Sequence, residues 1–172
     1  MIDTIGCVHT SIVSSKTKVA PIKRLTLPRL ELCGAHLLAN LLFHVKEALN
    51  LPLQEVYAWT DSTIVLNWLD GNPRRFKTFV GNRVSRIMEL ISSKHWRHVP
   101  GHQNPADCAS RGMLPSELLE HTLWWNGPDW LRKTPEHWPR FSDDMKMIDP
   151  SKDSEICLSM IARPINPVID IT

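Results

Sequence analysis

Between Arg29 and Leu49 the chain places Leu30, Cys33, Gly34, Leu37, Leu38, Leu41, Val45 and Ala48 at helical spacing, one apolar stripe about six turns long. A stripe of that length has to be covered by another element. Pro28 suits a first helical position, and Thr26 stands where a cap is needed. Glu31 borders the stripe. A carboxylate there is costly unless something positive meets it.

Around this helix the remaining pattern alternates between strand and helix. Residues 55–60, EVYAWT, read as a strand with Asp61 at its carboxyl end. Ser62 starts a helix running to Leu69, and Asp70-Gly71-Asn72-Pro73 ends it. A second helix is predicted from about Arg75 to Ser92, with Val80, Val84, Ile87, Met88 and Ile91 inward and Arg75, Asn82, Arg83 and Arg86 outward. HWRHV, from His95, is the next strand, and residues 105–111 form a short helix or turn. Upstream, residues 5–14 read as a strand, followed by an extended stretch that Pro21 and Pro28 keep from being helical. Downstream, SELLEHTLWWNGPDWL suggests a helix whose Leu and Trp cover the domain, and residues 139–172 carry no period and read as a disordered tail.

At 172 residues, 42% of them apolar and 22% charged, the chain suits one globular domain. The net charge of +2 says little about partners, but its distribution says more. Between residues 70 and 100, Arg74, Arg75, Lys77, Arg83, Arg86, Lys94 and Arg97 face only Asp70 and Glu89. Beyond residue 140, acids outnumber bases. A basic middle with an acidic tail suits a polyanion at the middle, and equally a solvated helix face. Cys7, Cys33, Cys108 and Cys157 show no close pairing, which points to reduced thiols in a cytoplasmic or nuclear setting. No apolar run is long enough to span a membrane.

Three acids occupy comparable places. Glu31 lies near the start of the major helix, Asp61 at a strand end, and Asp107 where a loop enters a helix. In an open α/β sheet, ligands gather at the carboxyl ends of strands and the adjoining helix starts. Carboxylates converging there repel one another and call for hard cations with oxygen ligands, Mg²⁺ or Mn²⁺. Two such ions can activate a water and hold the leaving oxygen of a phosphodiester. Spacing alone leaves the ordinary readings open: a paired helical Glu, and two Asp acting as helix caps.

LPRLELCGAHLLANLL, YAWTDSTIVLNWL, FVGNRVSRIMEL, WRHVPGHQNPADCASRG and LWWNGPDWL, in that order, resemble the ribonuclease H-like region of BEL/Pao-type retrotransposon polyproteins. The resemblance covers roughly residues 12 to 132. It implies an α/β, ribonuclease H-like mixed sheet with flanking helices, and two-metal hydrolysis of the RNA strand of RNA/DNA hybrids beside a reverse transcriptase region. By the same resemblance Glu31, Asp61 and Asp107 are metal ligands and catalytic. By that resemblance His102 also assists proton transfer or product release, and Asn104 orders its loop; the expected nucleic-acid-binding set is Asn104 together with the basic residues Arg74, Arg75, Lys77, Arg83 and Arg86, the latter from the charge pattern.

The family's first two strands, the first carrying its own acid, have no counterpart here. Asp3, in Met-Ile-Asp-Thr-Ile, does not match that acid's motif. With the family sheet order 3-2-1-4-5, strand 55–60 would then border a gap of about 14 Å and present an open edge. The expected organisation is a truncated ribonuclease H-like domain over 1–114, a Trp-rich helical extension over 115–138 and the tail over 139–172. Cleavage would be impaired.

Rival readings remain. The basic helix could grip phosphates without chemistry, as a non-catalytic nucleic-acid-binding or interaction module. His95, His98 and His102 could hold zinc, but positions 95 and 98 of a strand face opposite sides, so sheet packing is their more ordinary role. Asp61-Ser62-Thr63 lacks the glycine an aspartic peptidase needs. The four Trp between residues 124 and 138 could stack on bases, but a hydrophobic lid is the favoured role.

Overall fold

The computed structural model describes residues 7–22, 25–50, 53–139 and 158–164. Helix α1 (Leu27–Leu49) leads into strand β1 (Leu53–Thr60), helix α2 (Thr63–Asp70), helix α3 (Thr78–Leu90) and strand β2 (Trp96–His98). Short helices α4 (Ala106–Arg111), α5 (Pro115–Glu120) and α6 (Thr122–Asn126) follow, and strand β3 (Leu158–Pro164) completes the described elements.

The sheet order is β2-β1-β3, with β2 parallel to β1 and β3 antiparallel to it. Because side chains alternate across a strand, β1 serves two cores. Val56 and Ala58 meet the cluster built from α1, α2 and α3, while Tyr57 and Trp59 meet Val99, Leu131 and Trp138 on the opposite face. This layering of helices against a mixed sheet is the α/β arrangement expected of the chain.

Helix α1 forms as the sequence predicts, but its buried side is turned. The residues it buries are Glu31, Leu32, Ala35, Leu38, Ala39 and Leu42, not the predicted line through Leu30, Leu37 and Leu41, which are half-buried. Ala35 and Ala39, both fully buried, present little bulk and let the helix approach its neighbours closely. Both lines are apolar, so the pattern alone does not choose between them.

The predicted helix from about Arg75 divides. Pro73–Arg75 form a 3-10 turn whose Asn72 side chain accepts from the Arg74 amide, and α3 starts only at Thr78. A Cβ on Gly81 would stand 2.9 Å from the Pro73 carbonyl oxygen, so glycine is what lets this turn fold against α3. The predicted helix over the Trp-rich segment is also broken, into α5 and α6, by His121, and it ends at Gly127, where φ is +69°.

Two expectations about strands are corrected. Residues 7–14, the described part of the predicted strand 5–14, have no regular secondary structure apart from a bridge at Val8. The Ile12 amide instead donates to the Trp125 carbonyl at 2.8 Å, tying this segment to α6. Leu158–Pro164 lies in the expected tail yet pairs with β1 from Thr60 to Leu53, covering the edge that was expected to be open. An unpaired row of backbone groups is costly, and a strand contributed by any part of the chain can satisfy it. Asp3, Cys157 and the acidic residues beyond 140 lie outside the described residues.

The Trp-rich segment acts as a lid. Trp138 packs edge-on against Tyr57 and Trp59, with ring centroids at 5.1 and 5.4 Å, and Trp130 sits 5.6 Å from Trp59. The Arg97 guanidinium carbon lies 4.7 Å from the Tyr57 ring centroid and 5.5 Å from that of Trp138. Among the described residues no helix is long and apolar enough to cross a membrane. Cys7, Cys33 and Cys108 are thiols.

Candidate functional site

Asp61 follows β1 directly, at the carboxyl end of the strand. The next residue, Ser62, caps α2: its hydroxyl oxygen accepts from the Val65 amide at 3.2 Å. The same hydroxyl donates to the Glu31 carboxylate. Glu31, only 5% exposed, is therefore drawn inward from α1 to the residue beside Asp61. One of its partners is thus a hydroxyl.

The loop after β2 reaches the same end of the sheet. The Val99 amide donates to the Thr60 carbonyl at 3.1 Å. A Cβ on Gly101 would lie 3.6 Å from the Asp61 carboxylate, so the loop passes close to that acid. His98 is buried on β2. Burial pushes its pKa below the ordinary 6.5, and a hydrogen bond to the Asp61 backbone opposes that fall. His95 packs edge-on against Tyr57. His98 has the packing role that its strand position suggests, and His95, in the 3-10 turn Ser93–His95 before β2, packs as well.

Asn104 is fully buried. Its side chain accepts from the Ala106 amide at 3.2 Å, and its carbonyl accepts from the Asp107 amide at 3.1 Å. These two contacts place it within the turn into α4. His102 is exposed and lies 3.2 Å from the Gln103 side-chain nitrogen. Gln103 in turn accepts from the Trp130 indole at 2.8 Å, anchoring the loop to the lid. Sequence reasoning missed this contact. A glutamine beside a candidate histidine carries no signal of a partner 27 residues away.

Asp107 occupies the first turn of α4. One carboxylate oxygen lies 3.2 Å from the Arg111 guanidinium, and the other is buried with no hydrogen-bond partner among the described residues. Among those residues no three acidic, imidazole or thiol groups gather closely enough to hold a metal ion. Glu31 is engaged by Ser62 and Asp107 by Arg111.

The basic residues divide between two sides of α3. Arg74, Arg75 and Lys77 are exposed at the turn that leads into it, where Pro73, Arg74, Phe76, Thr78, Asn82 and Ser85 line an open groove of about 280 Å³. Arg83 and Arg86 belong to the other side, toward α1. Burial, then Arg83, Arg86 and Lys18, hold the pKa of His36 on α1 below 6.5.

Helices packed on a mixed sheet, with Glu31 and Asp61 brought to the carboxyl end of its central strand, are consistent with an α/β, ribonuclease H-like fold. Residues 2–62 match the model of the Pao retrotransposon-like RNaseH-like domain family, a similarity that supports a Pao-type ribonuclease H-like region there. The matched segment contains Glu31, Asp61 and Ser62 and ends before Asp107. Searches of curated proteins and of solved structures returned no match.

Proposed function

We propose that this chain is the hybrid-recognising ribonuclease H-like domain of a Pao-type retrotransposon polyprotein, set beside a reverse transcriptase region. It binds RNA/DNA hybrids and supports hydrolysis of their RNA strand weakly or not at all. The observation that carries this reading is the meeting of three elements around Asp61. The start of α1 reaches the neighbouring Ser62 through Glu31, β1 delivers the aspartate, and the Gly101 loop closes against it. That end of an α/β sheet is where ligands are taken.

Cleavage is weak because two of the acids, Glu31 and Asp107, are engaged by protein partners. A Mg²⁺ or Mn²⁺ pair needs several oxygen ligands turned to a common point, and Glu31 and Asp107 are turned to Ser62 and Arg111. Binding rests on phosphate contacts from Arg74, Arg75 and Lys77 at the mouth of the groove, with Arg83 and Arg86 adding positive charge.

The test is fluorescence anisotropy of a labelled RNA/DNA hybrid across a salt series. The expected result is salt-sensitive binding whose log–log slope falls by about three when Arg74, Arg75 and Lys77 are all changed to Gln. Absence of hybrid binding, or a triple variant that binds like the parent, overturns the proposal.

A further inference from the structure

On α1, Arg29, His36 and Asn40 fall along one line of the helix, and on α3 Phe79, Arg83 and Arg86 form the line that meets it. Phe79 joins the two. The guanidinium carbon of Arg83 lies 3.6 Å from its ring centroid and that of Arg29 lies 5.2 Å from it. Arg83 also donates to the Phe79 carbonyl at 3.0 Å, which fixes the guanidinium in place. Asn40 donates to the His36 carbonyl at 2.6 Å and lies 3.3 Å from the His36 ring nitrogen Nε2. Lys18, in the amino-terminal segment before α1, acts on the same histidine.

Among the described residues, the charged groups that act on His36 are Arg83 and Arg86 from α3 and Lys18 from the segment before α1, all positive. Glu89 pairs with Arg86 at 2.9 Å, but both side chains are about half exposed or more, so this pair offsets little. Cations gathered around one imidazole repel one another. Stacking on Phe79 recovers only part of that cost. An anion seated among them would remove the repulsion altogether.

We infer that the seam between α1 and α3, lined by Arg29, His36, Arg83 and Arg86, is a phosphodiester-binding track separate from the Arg74 groove, and that it takes up a proton at His36 when nucleic acid binds. This inference rests on the hybrid-binding reading above. A backbone phosphate in the seam turns the surroundings of the imidazole from cationic to anionic. The ring then accepts a proton from solvent and donates it in a hydrogen bond to the phosphate, while the guanidiniums of Arg29 and Arg83 supply fixed donors.

The test is the affinity of the intact chain for an RNA/DNA hybrid between pH 8 and pH 6, at fixed salt and in a salt series. It uses the parent, His36→Gln, Arg29→Gln, Arg83→Gln, Arg83→Lys and the Arg74, Arg75 and Lys77 triple Gln variant, each shown folded by circular dichroism. Binding by the parent is expected to tighten as pH falls, approaching about tenfold per pH unit for one linked proton. His36→Gln flattens that dependence. Arg29→Gln and Arg83→Gln each lower the salt slope by about one, Arg83→Lys restores it, and the triple variant keeps the pH dependence. If the hybrid binds but Arg29→Gln and Arg83→Gln match the parent, or His36→Gln keeps the full pH dependence, the track is excluded while the function proposal stands. If no hybrid binds, both fall.

Discussion

The hydroxyl of Ser62 joins two jobs: it caps α2 through the Val65 amide and it donates to the buried carboxylate of Glu31. One side chain thereby ties the helix that starts the α/β unit to the strand end that carries Asp61.

Ser62→Ala removes the cap and leaves a buried carboxylate short of a donor. Loss of a cap costs about 1 kcal/mol, and an under-satisfied buried acceptor adds about 1–3 kcal/mol. Urea denaturation should show a lower midpoint with an unchanged m-value. Adding Glu31→Gln to Ser62→Ala should recover part of the loss, giving a coupling of at least about 0.5 kcal/mol. Additive effects of the two changes would mean that the contact carries no stability.

His98 supplies a pH dependence whose sign is fixed by its burial. Its folded pKa lies below the unfolded 6.5, so the unfolded chain binds the proton first as pH falls. Stability therefore decreases as pH drops through 6.5 and levels off only below the folded pKa. His36 acts in the same direction. Denaturation midpoints at pH 7.5 and pH 5.5 should differ in this sense, and the difference should shrink in His98→Gln. A chain more stable at pH 5.5 would contradict the buried neutral imidazole.

Strand β3 should guard the edge of β1. In an antiparallel pair alternate amides face the neighbouring strand, so of Ile161→Pro and Ala162→Pro one removes a ladder hydrogen bond and the other does not. One variant should unfold more easily and self-associate in sedimentation velocity, and the other should stay closer to the parent. Equal, negligible effects of both would show that β3 is dispensable to the sheet.

What the sequence made legible follows from the range of the forces involved. Helix α1, strand β1, the Ser62 cap and the α4 turn are local patterns, and each stands within a few residues of its expected bounds. The turned face of α1 was hidden because Leu30 and Leu37 are as apolar as Leu32 and Leu42, and tertiary packing chose between them. The break before α3 depended on Gly81 meeting the Pro73 carbonyl, a contact between separate elements. Strand β3 was invisible because pairing with β1, about a hundred residues earlier, makes it a strand. For the candidate site, the positions of Glu31, Asp61 and Asp107 were readable as strand ends and helix starts. Their engagement by Ser62 and Arg111 was not, since it depends on side-chain directions that only the folded chain sets.

The central claim, a hybrid-binding ribonuclease H-like domain whose Glu31 and Asp107 are committed to protein partners, is tested most directly by incubating the intact chain with an end-labelled RNA/DNA hybrid in Mg²⁺ and in Mn²⁺. Retention and RNA fragments are followed on parallel gels. The account predicts a retained complex with RNA products at or near the metal-free background. Efficient metal-dependent cleavage that disappears in Asp61→Asn would contradict it.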